Sequence, residues 1–215
     1  MPVAKPLSHR HLPPDAKRQV IFEAARQVIT ERGFDGAKME EIAARAGVGK
    51  GTLYNFFPSK EELLLSLVTE NFERIRDLVN AETEAAGDPW ATLEAGWRTL
   101  LLRVFPELAS QWNFSYQLWS FLARDADART RLFAQWRTMY TERERQIVAA
   151  IRAGQASGDF RRDVAPERLV PLLLAIYDGV LNRSIVDPDR FIPEVTLESV
   201  LDLIRRVLAP PATPH

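Results

Sequence analysis

Residues 42–57 read IAARAGVGKGTLYNFF, two short helical segments separated by glycines. The first segment carries small Ala43 and Ala46, which allow close helix packing, and Gly47 is typical of a residue that ends a helix. The second segment covers about residues 50–56. Because a tight turn makes two helices cross steeply, we expect the second helix to project from the surface. This arrangement is a helix-turn-helix, whose second helix enters the major groove of DNA.

The polar residues of this stretch fall where DNA would be contacted. Lys50, Gly51 and Thr52 begin the second helix, where free backbone N–H groups favour phosphate. Asn55 is suited to reading adenine, and Tyr54 commonly donates to phosphate. An ordinary corner between two helices remains the alternative, because the pattern alone does not decide between them.

The charges of the chain are unevenly distributed. The 215 residues include 28 Lys and Arg against 29 Asp and Glu, for a net charge of −1. Residues 1–60 hold ten basic and six acidic residues, a net charge of +4, whereas the remainder carries −5. A basic first quarter indicates a polyanion-binding surface, although a chance fluctuation of a few charges gives the same numbers.

Several classes of protein are excluded or disfavoured by composition. The chain has no cysteine, which excludes disulfides and thiolate metal sites, and its three histidines, His9, His11 and His215, lie in proline-rich ends. We therefore expect no enzyme activity, no metal site and no cofactor. No apolar run reaches the length of a membrane span, and the N-terminus lacks the apolar core of a secretory signal. A cytoplasmic protein without membrane association is expected.

Between its ends the chain reads as helix, and no pair of strand-like runs flanks a hairpin turn. We predict an all-α fold with about nine helices, near residues 15–33, 39–46, 50–56, 59–80, 89–104, 107–123, 126–156, 166–185 and 196–208. Asp15 is the predicted cap of the first helix, and Ser59 with Glu62 forms a capping box. Pro171 lies inside a predicted helix, which implies a kink or a late start.

The predicted organisation is an arm, two domains and a tail. The arm covers residues 1–14, the DNA-binding domain 15–65 with its helix-turn-helix at about 38–57, the helical ligand-binding and dimerisation domain 66–208, and the tail 209–215. Lys5 and Arg10 of the arm are candidates for touching DNA, but a solvated tail is favoured.

The residues around the motif carry a specific resemblance. The matching positions are Ala24-Ala25, Gly33-Phe34, Ile42-Ala43, Ala46-Gly47-Val48, Gly51-Thr52-Leu53-Tyr54, Phe57, Ser59-Lys60-Glu61 and Leu64. This run resembles the DNA-binding domain of the TetR family of regulators, with every gap in place. The resemblance implies a three-helix DNA-binding domain, a C-terminal ligand and dimerisation domain, and repression that a ligand relieves. A looser resemblance, over Ser157–Asp163 and Tyr177–Gly179, is to the C-terminal domains of one broad group within the family.

The resemblance also implies which residues face DNA: Lys38, Met39, Lys50, Gly51, Thr52, Tyr54, Asn55 and Lys60. Three positions depart from the family pattern. Lys38 replaces a usual Thr, and lysine reaches phosphate but cannot cap a helix. Gly49 replaces a usual Ser, which weakens the cap of the recognition helix, and Phe56 replaces a usual His, which removes a phosphate donor.

Aromatic residues are concentrated in the middle of the chain, and all five tryptophans lie between residues 90 and 136. Trp112, Tyr116 and Trp119 share one helix face, and Trp136 and Tyr140 form a pair on the next helix. Opposed faces of this kind would line a cavity for a flat or lipophilic ligand, with a well-packed core as the alternative. The predicted pocket residues are Trp97, Trp112, Tyr116, Trp119, Trp136, Tyr140 and Asp178.

The last two helices are predicted to form a homodimer interface. The residues assigned to it are Leu172, Ile176, Gly179, Val180, Leu203, Ile204 and Val207. Packing two such helix pairs across a two-fold axis gives a four-helix bundle. Two recognition helices about one helical turn of DNA apart then read a palindrome.

The sequence therefore favours a repressor that a small aromatic or lipophilic ligand releases from a palindromic operator. Its expected partners are operator DNA, a second copy of the chain and the small effector. An activator or architectural DNA-binding protein of the same family without an inducer is the alternative. A helical enzyme with a fortuitous helix-turn-helix is a third hypothesis, against which the lack of interior histidine and cysteine weighs.

Overall fold

The structure, a computed structural model, describes residues 12–110 and 112–210, apart from the side chains at positions 109, 110, 112, 113, 115, 185 and 188. The three histidines and the predicted arm contacts Lys5 and Arg10 lie outside the described residues. The regular secondary structure of the described part is helical, with no β-strand, which confirms the predicted all-α class.

The helices follow one another in a simple order. They are α1 (Pro14–Gly36), α2 (Met39–Arg45), α3 (Lys50–Phe56), α4 (Lys60–Glu84), α5 (Pro89–Thr99), α6 (Phe105–Ser110), α7 (Trp112–Arg124), α8 (Ala126–Ser157), α9 (Pro166–Val186) and α10 (Pro193–Leu208). A π-helical segment, Leu100–Val104, joins α5 to α6, and a 3-10 turn, Pro188–Arg190, precedes α10. Because the π segment makes α5 and α6 one continuous stretch, the described residues contain nine α-helical stretches, the predicted number.

The first helices begin and end largely where local signals place them. Gly33 adopts φ 72° and interrupts α1 near its end, and Gly47 adopts φ 63° just after α2. The predicted cap Asp15 is wrong: α1 starts one residue earlier, at Pro14, with Pro13 in the cap position and Asp15 in the first turn. Proline is well suited to a first helical position because its missing N–H has no partner there anyway.

Two expected helix boundaries near prolines are also wrong. The predicted break between residues 104 and 107 does not occur, since the π segment carries the helix through Pro106. Its wider turn lets the Phe105 N–H reach the Leu100 carbonyl, five residues back, immediately before the residue that has no N–H. Helix α9 begins at Pro166 and continues past Pro171, so the late start does not occur.

The chain forms two compact units. Of the described residues, unit 1 comprises 12–72 and 112–134, and unit 2 comprises 73–110 and 135–210. The sequence placed residues 111–134 in the C-terminal domain, whereas this division groups them with α1. Within unit 1, α7 packs on α1, and the rings of Phe34 and Phe121 have centroids 4.5 Å apart.

Each unit has its own apolar core. In unit 1 the fully buried side chains include Ile21, Val28, Ile29, Ile42, Leu53, Leu63 and Leu64. In unit 2 the buried side chains include Leu101, Phe105, Ile151, Val170, Leu201 and Ile204. Burial of each such side chain contributes about 1.5–3 kcal/mol to the stability of the fold. These cores hold the helices of each unit in place.

None of the described helices combines the length and apolar character that crossing a membrane requires.

Candidate nucleic-acid interface

Helix α3 is fixed to unit 1 by one face. Leu53 is fully buried, and Phe57, the residue after the helix, is 1% exposed with its ring centroid 5.3 Å from that of Phe22. The turn before α3 is closed by backbone hydrogen bonds, including one of 3.0 Å from the Val48 N–H to the Ala43 carbonyl. The remaining face of the short helix is therefore held in place while it stays open to solvent.

Five predicted DNA contacts lie on that open face. Lys50, Gly51 and Asn55 are exposed, Tyr54 is 38% exposed and Thr52 is partly buried. A Cβ atom added at Gly51 would meet nothing within 4 Å, so glycine is not required there for packing. We call Lys50, Gly51, Thr52, Tyr54 and Asn55 the recognition face; its contact with DNA stays a prediction, but the side chains are positioned for it.

The recognition face has an acidic neighbour that the sequence did not indicate. Lys50 Nζ lies 2.6 Å from Glu40 Oε1 of α2 and 5.8 Å from the ring centroid of Tyr54. The hydrogen bond from Lys50 lowers the pKa of Glu40, and the same bond raises the pKa of Lys50. To bind phosphate, Lys50 must exchange this carboxylate for a phosphate oxygen. The carboxylate itself repels the DNA backbone.

The three departures from the family pattern have visible consequences. Lys38 is exposed at the cap position of α2, and Gly49 occupies the cap position of α3, and neither helix end receives a side-chain capping hydrogen bond. Phe56 is partly buried, with its ring centroid 6.1 Å from that of Phe57. The Lys38 side chain is therefore accessible to a phosphate group, as expected of a lysine at this position.

Two residues predicted to face DNA have internal roles instead. Met39 is 6% exposed in the core of unit 1, because an apolar side chain at the start of α2 is better stabilised by burial than by water. The Lys60 ammonium donates to the carbonyls of Phe34 at 2.5 Å and Ala37 at 3.0 Å, with Asp35 at 3.3 Å. These carbonyls at the end of α1 have no helical donors, so Lys60 caps that end.

The end of α1 is also held by α7. The Phe34 N–H donates to Gln117 Oε1 at 3.2 Å, and Arg124 binds both carboxylate oxygens of Asp35, at 2.8 and 3.2 Å. The break at Gly33 frees the Phe34 N–H from the helix, which leaves it available for Gln117. No local pattern in the sequence indicates these contacts, because Gln117 lies 83 residues from Phe34.

The predicted pocket residues divide between the units. Trp112, Tyr116 and Trp119 belong to unit 1; the Trp112 side chain is outside the described set, and Tyr116 and Trp119 are 59% and 49% exposed. Helix α7 turns its other face inward, with Phe114, Leu118, Phe121 and Leu122 buried. The predicted aromatic face of α7 is thus its solvent face within unit 1.

The other predicted pocket residues belong to unit 2. Trp97 is 8% exposed, Trp136 is partly buried, and the Tyr140 hydroxyl donates to Asp178 Oδ1 at 2.7 Å. Burial raises the pKa of Tyr140, and the hydrogen bond to Asp178 adds to the increase. Tyr177, which the sequence argument did not assign to the pocket, stacks edge-on to Trp97 with centroids 6.5 Å apart.

The predicted dimer residues differ in exposure. Leu172 and Leu203 are 62% and 44% exposed, and Gly179 is open to solvent with nothing within 4 Å of an added Cβ. Ile176, Val180 and Val207 are partly buried. Ile204 is 1% exposed within the unit 2 core, so its assignment to the interface is wrong: the inner face of α10 includes it.

Comparison with known proteins identifies the two parts of the chain. Residues 21–67 match the model of the bacterial regulatory proteins of the tetR family, and residues 94–209 match that of the C-terminal domain of BetI-type transcriptional repressors. The transcriptional repressor DhaR of Mycobacterium sp. (strain GP1) is 29% identical over 174 residues, which cover 80% of this chain and 84% of that protein.

Solved structures show the same fold. A TetR transcription regulator from Haloarcula marismortui superposes with a TM-score of 0.74 at 21% identity, covering 90% of this chain and 99% of its own. A transcriptional regulator from Saccharomonospora viridis in complex with choline gives 0.71 at 24% identity, with 91% and 98% covered. The chain belongs to the TetR family of DNA-binding transcriptional regulators.

Proposed function

We propose that this regulator binds a palindromic operator as a homodimer, represses the adjacent promoter, and leaves the DNA when a small ligand binds in unit 2. The proposal that the chain binds DNA rests on the recognition face. This face is exposed on a helix whose opposite face is held in unit 1 by buried Leu53 and Phe57. Its lysine, tyrosine and asparagine are residue types that bind phosphate and base edges.

Homodimerisation is supported by apolar side chains left exposed on the last two long helices. Leu172 of α9 and Leu203 of α10 are two of them. Association of two chains through these helices would bury apolar surface and form a four-helix bundle. A recognition helix of seven residues, Lys50–Phe56, reads few bases, so two copies give the operator its specificity.

Release by a ligand is supported by the way the end of α1 is held. Lys60, the first residue of α4, and Gln117 of α7 both bind this segment, which leads directly into α2. Helix α4 starts in unit 1 and continues into unit 2. A ligand that favours a different position of α4 would therefore shift the capping lysine, and with it the helix-turn-helix.

Selection of bound duplexes from a random DNA library tests whether a homodimer binds a palindromic operator. We expect an enriched palindrome whose half-sites lie about one helical turn apart, and one dimer per site by mass measurement of the complex. An asymmetric site bound by one chain would contradict the homodimer.

A reporter gene downstream of the selected site should fall in expression when the protein is present; a rise would identify an activator.

A further inference from the structure

Arg143 of α8 occupies an unusual place in unit 2. It is partly buried, and its Nη2 atom lies 2.9 Å from the position that a Cβ on Gly96 would take. The guanidinium thus fits against α5 because residue 96 has no side chain. Among the described residues it has no hydrogen-bond acceptor and no carboxylate partner, whereas 16 other arginines of the described part form ion pairs.

The hydroxyl of Tyr177 in α9 also lacks a hydrogen-bond acceptor among the described residues. It interacts electrostatically with Arg143, and it has no hydrogen-bond partner among the described residues. The ring of Tyr177 lies between aromatic neighbours of unit 2, with centroids 6.5 Å from Trp97 and 5.2 Å from Phe105. The hydroxyl of Tyr140, by contrast, already donates to Asp178. Two strong donors are therefore left without acceptors beside the aromatic core of unit 2.

A partly buried arginine without an acceptor destabilises a protein, because the guanidinium loses water and gains nothing in return. Burial lowers the pKa of Arg143, and Tyr177 acts in the opposite direction. Arginine nevertheless keeps its proton in proteins, so the charge stays in place. A cation held at such a cost is typical of a site that binds an anion.

We propose that Arg143 and the Tyr177 hydroxyl bind the carboxylate of an otherwise apolar effector, whose hydrocarbon part lies against the ring of Tyr177 and the partly buried apolar side chains around it in unit 2. This inference rests on the proposed function and assigns the chemical class of its ligand. The planar guanidinium matches a carboxylate with two parallel hydrogen bonds, and the phenol adds a third donor. We call Arg143 and Tyr177 the arginine site.

The charges around the site favour one negative charge over several. Asp178 is the residue next to Tyr177 and raises the pKa of its hydroxyl, as burial does to a larger extent. Its carboxylate is exposed and repels a ligand with further negative groups, such as a diphosphate. Asp178 is also engaged by Tyr140, so it is a poor counter-ion for a cationic ligand.

Tryptophan fluorescence of the full-length protein tests the proposal with two carboxylates, dodecanoate and 2-naphthoate. The matched probes for dodecanoate are dodecan-1-ol and dodecyltrimethylammonium, which share its chain but not its charge. We expect saturable binding of at least one carboxylate, with dodecanoate or 2-naphthoate at least about tenfold tighter than the uncharged analogue of the same skeleton. No saturable binding of either carboxylate, or equal binding of alcohol or ammonium, overturns the proposal.

The variant Arg143→Met keeps much of the side-chain length and removes the charge. It should weaken carboxylate binding at least about tenfold and leave the binding of dodecan-1-ol unchanged. Arg137→Met, an exposed position on the same helix, is the matched control and should change neither. An Arg143→Met protein that binds carboxylates as tightly as the original chain overturns the assignment.

A second measurement separates a ligand-binding arginine from a structural one. Without ligand, Arg143→Met should raise the Tm by about 2–4 °C, because it removes a cation that has no acceptor. A structural arginine would give a lower Tm, and that result overturns the proposal. Operator release is measured separately: a carboxylate that binds through Arg143 but leaves the operator complex intact supports this inference and contradicts ligand-relieved repression.

Discussion

The recognition face and the arginine site hold positive charge in opposite ways. Lys50 is exposed and paired with Glu40 at 2.6 Å, whereas Arg143 is partly buried and has no acceptor among the described residues. An exposed ion pair contributes little to stability, so Lys50 can exchange Glu40 for a phosphate at small cost. An unpaired cation that is partly buried is costly unless an anion binds it. The recognition face is therefore suited to exchanging one partner for another, and the proposed arginine site to acquiring one.

The largest effect is expected from breaking the support behind the recognition face. Leu53→Ala removes a fully buried side chain and should lower the free energy of unfolding by about 2–5 kcal/mol, with loss of operator binding. Urea unfolding followed by circular dichroism measures it. Asn55→Ala, on the exposed side of the same helix, is the control and should stay within about 0.5 kcal/mol. Equal effects of the two changes would mean that α3 is not anchored as described.

Lys60 differs from both Lys50 and Arg143, because its ammonium group has backbone carbonyl acceptors on the protein. Lys60→Met should lower the free energy of unfolding by about 1–3 kcal/mol, since the carbonyls of Phe34 and Ala37 lose their donor. The salt dependence of operator binding should not change, because the ammonium caps α1 rather than contacting phosphate. A smaller salt dependence with unchanged stability would restore the DNA contact that the sequence predicted.

Glu40 offers a smaller change on the recognition face. Glu40→Gln should strengthen operator binding roughly three- to fivefold at low salt, because a carboxylate that repels phosphate is removed, and the gain should fade as salt screens it. Glu41→Gln is the control, since Glu41 pairs with Arg32 and Arg45. Anisotropy titrations with labelled operator measure both, and weaker binding of Glu40→Gln would contradict the repulsive role.

The same variant has a pH signature. The Lys50 hydrogen bond lowers the pKa of Glu40, so this carboxylate stays ionised below the usual range of glutamate. In the complex Lys50 has moved to phosphate, and nearby phosphates raise the pKa of Glu40 again. The difference between Glu40→Gln and the original chain should therefore begin to shrink when the pH falls below the pKa of Glu40 in the complex, and it should vanish only below the lowered pKa of the DNA-free protein. A difference that vanishes already where glutamate ordinarily titrates would mean that Glu40 is not held by Lys50.

The sequence predicts the helix-turn-helix well because its signals are local. Gly33 and Gly47 interrupt helices where the chain needs a left-handed residue, and the hydroxyl oxygen of Ser59 accepts from the Glu62 N–H at 3.2 Å, as the capping box requires. The reciprocal half of that box is absent, since Glu62 pairs with Arg131 instead. Local pattern thus gives the elements but not the long-range partners of their side chains.

The site residues that the sequence misassigns or misses depend on distant packing. The family pattern predicts that Met39 and Lys60 face DNA. It does not show that Met39 is buried or that Lys60 caps α1 in this chain. Arg143 reads as an ordinary surface arginine of a long helix, because nothing within α8 shows that Gly96 makes room for it. Its surroundings are visible only when α5, α8 and α9 are in place.

The salt dependence of operator binding by Lys50→Ala tests the central claim most directly. If Lys50 gives up Glu40 for phosphate, the slope of log K against log salt should decrease in magnitude by about one per subunit, and affinity should fall about tenfold at low salt. Arg143→Met, measured beside it without ligand, should keep the original slope and affinity. A Lys50→Ala protein with an unchanged slope would contradict the assignment of α3 as the helix that contacts DNA.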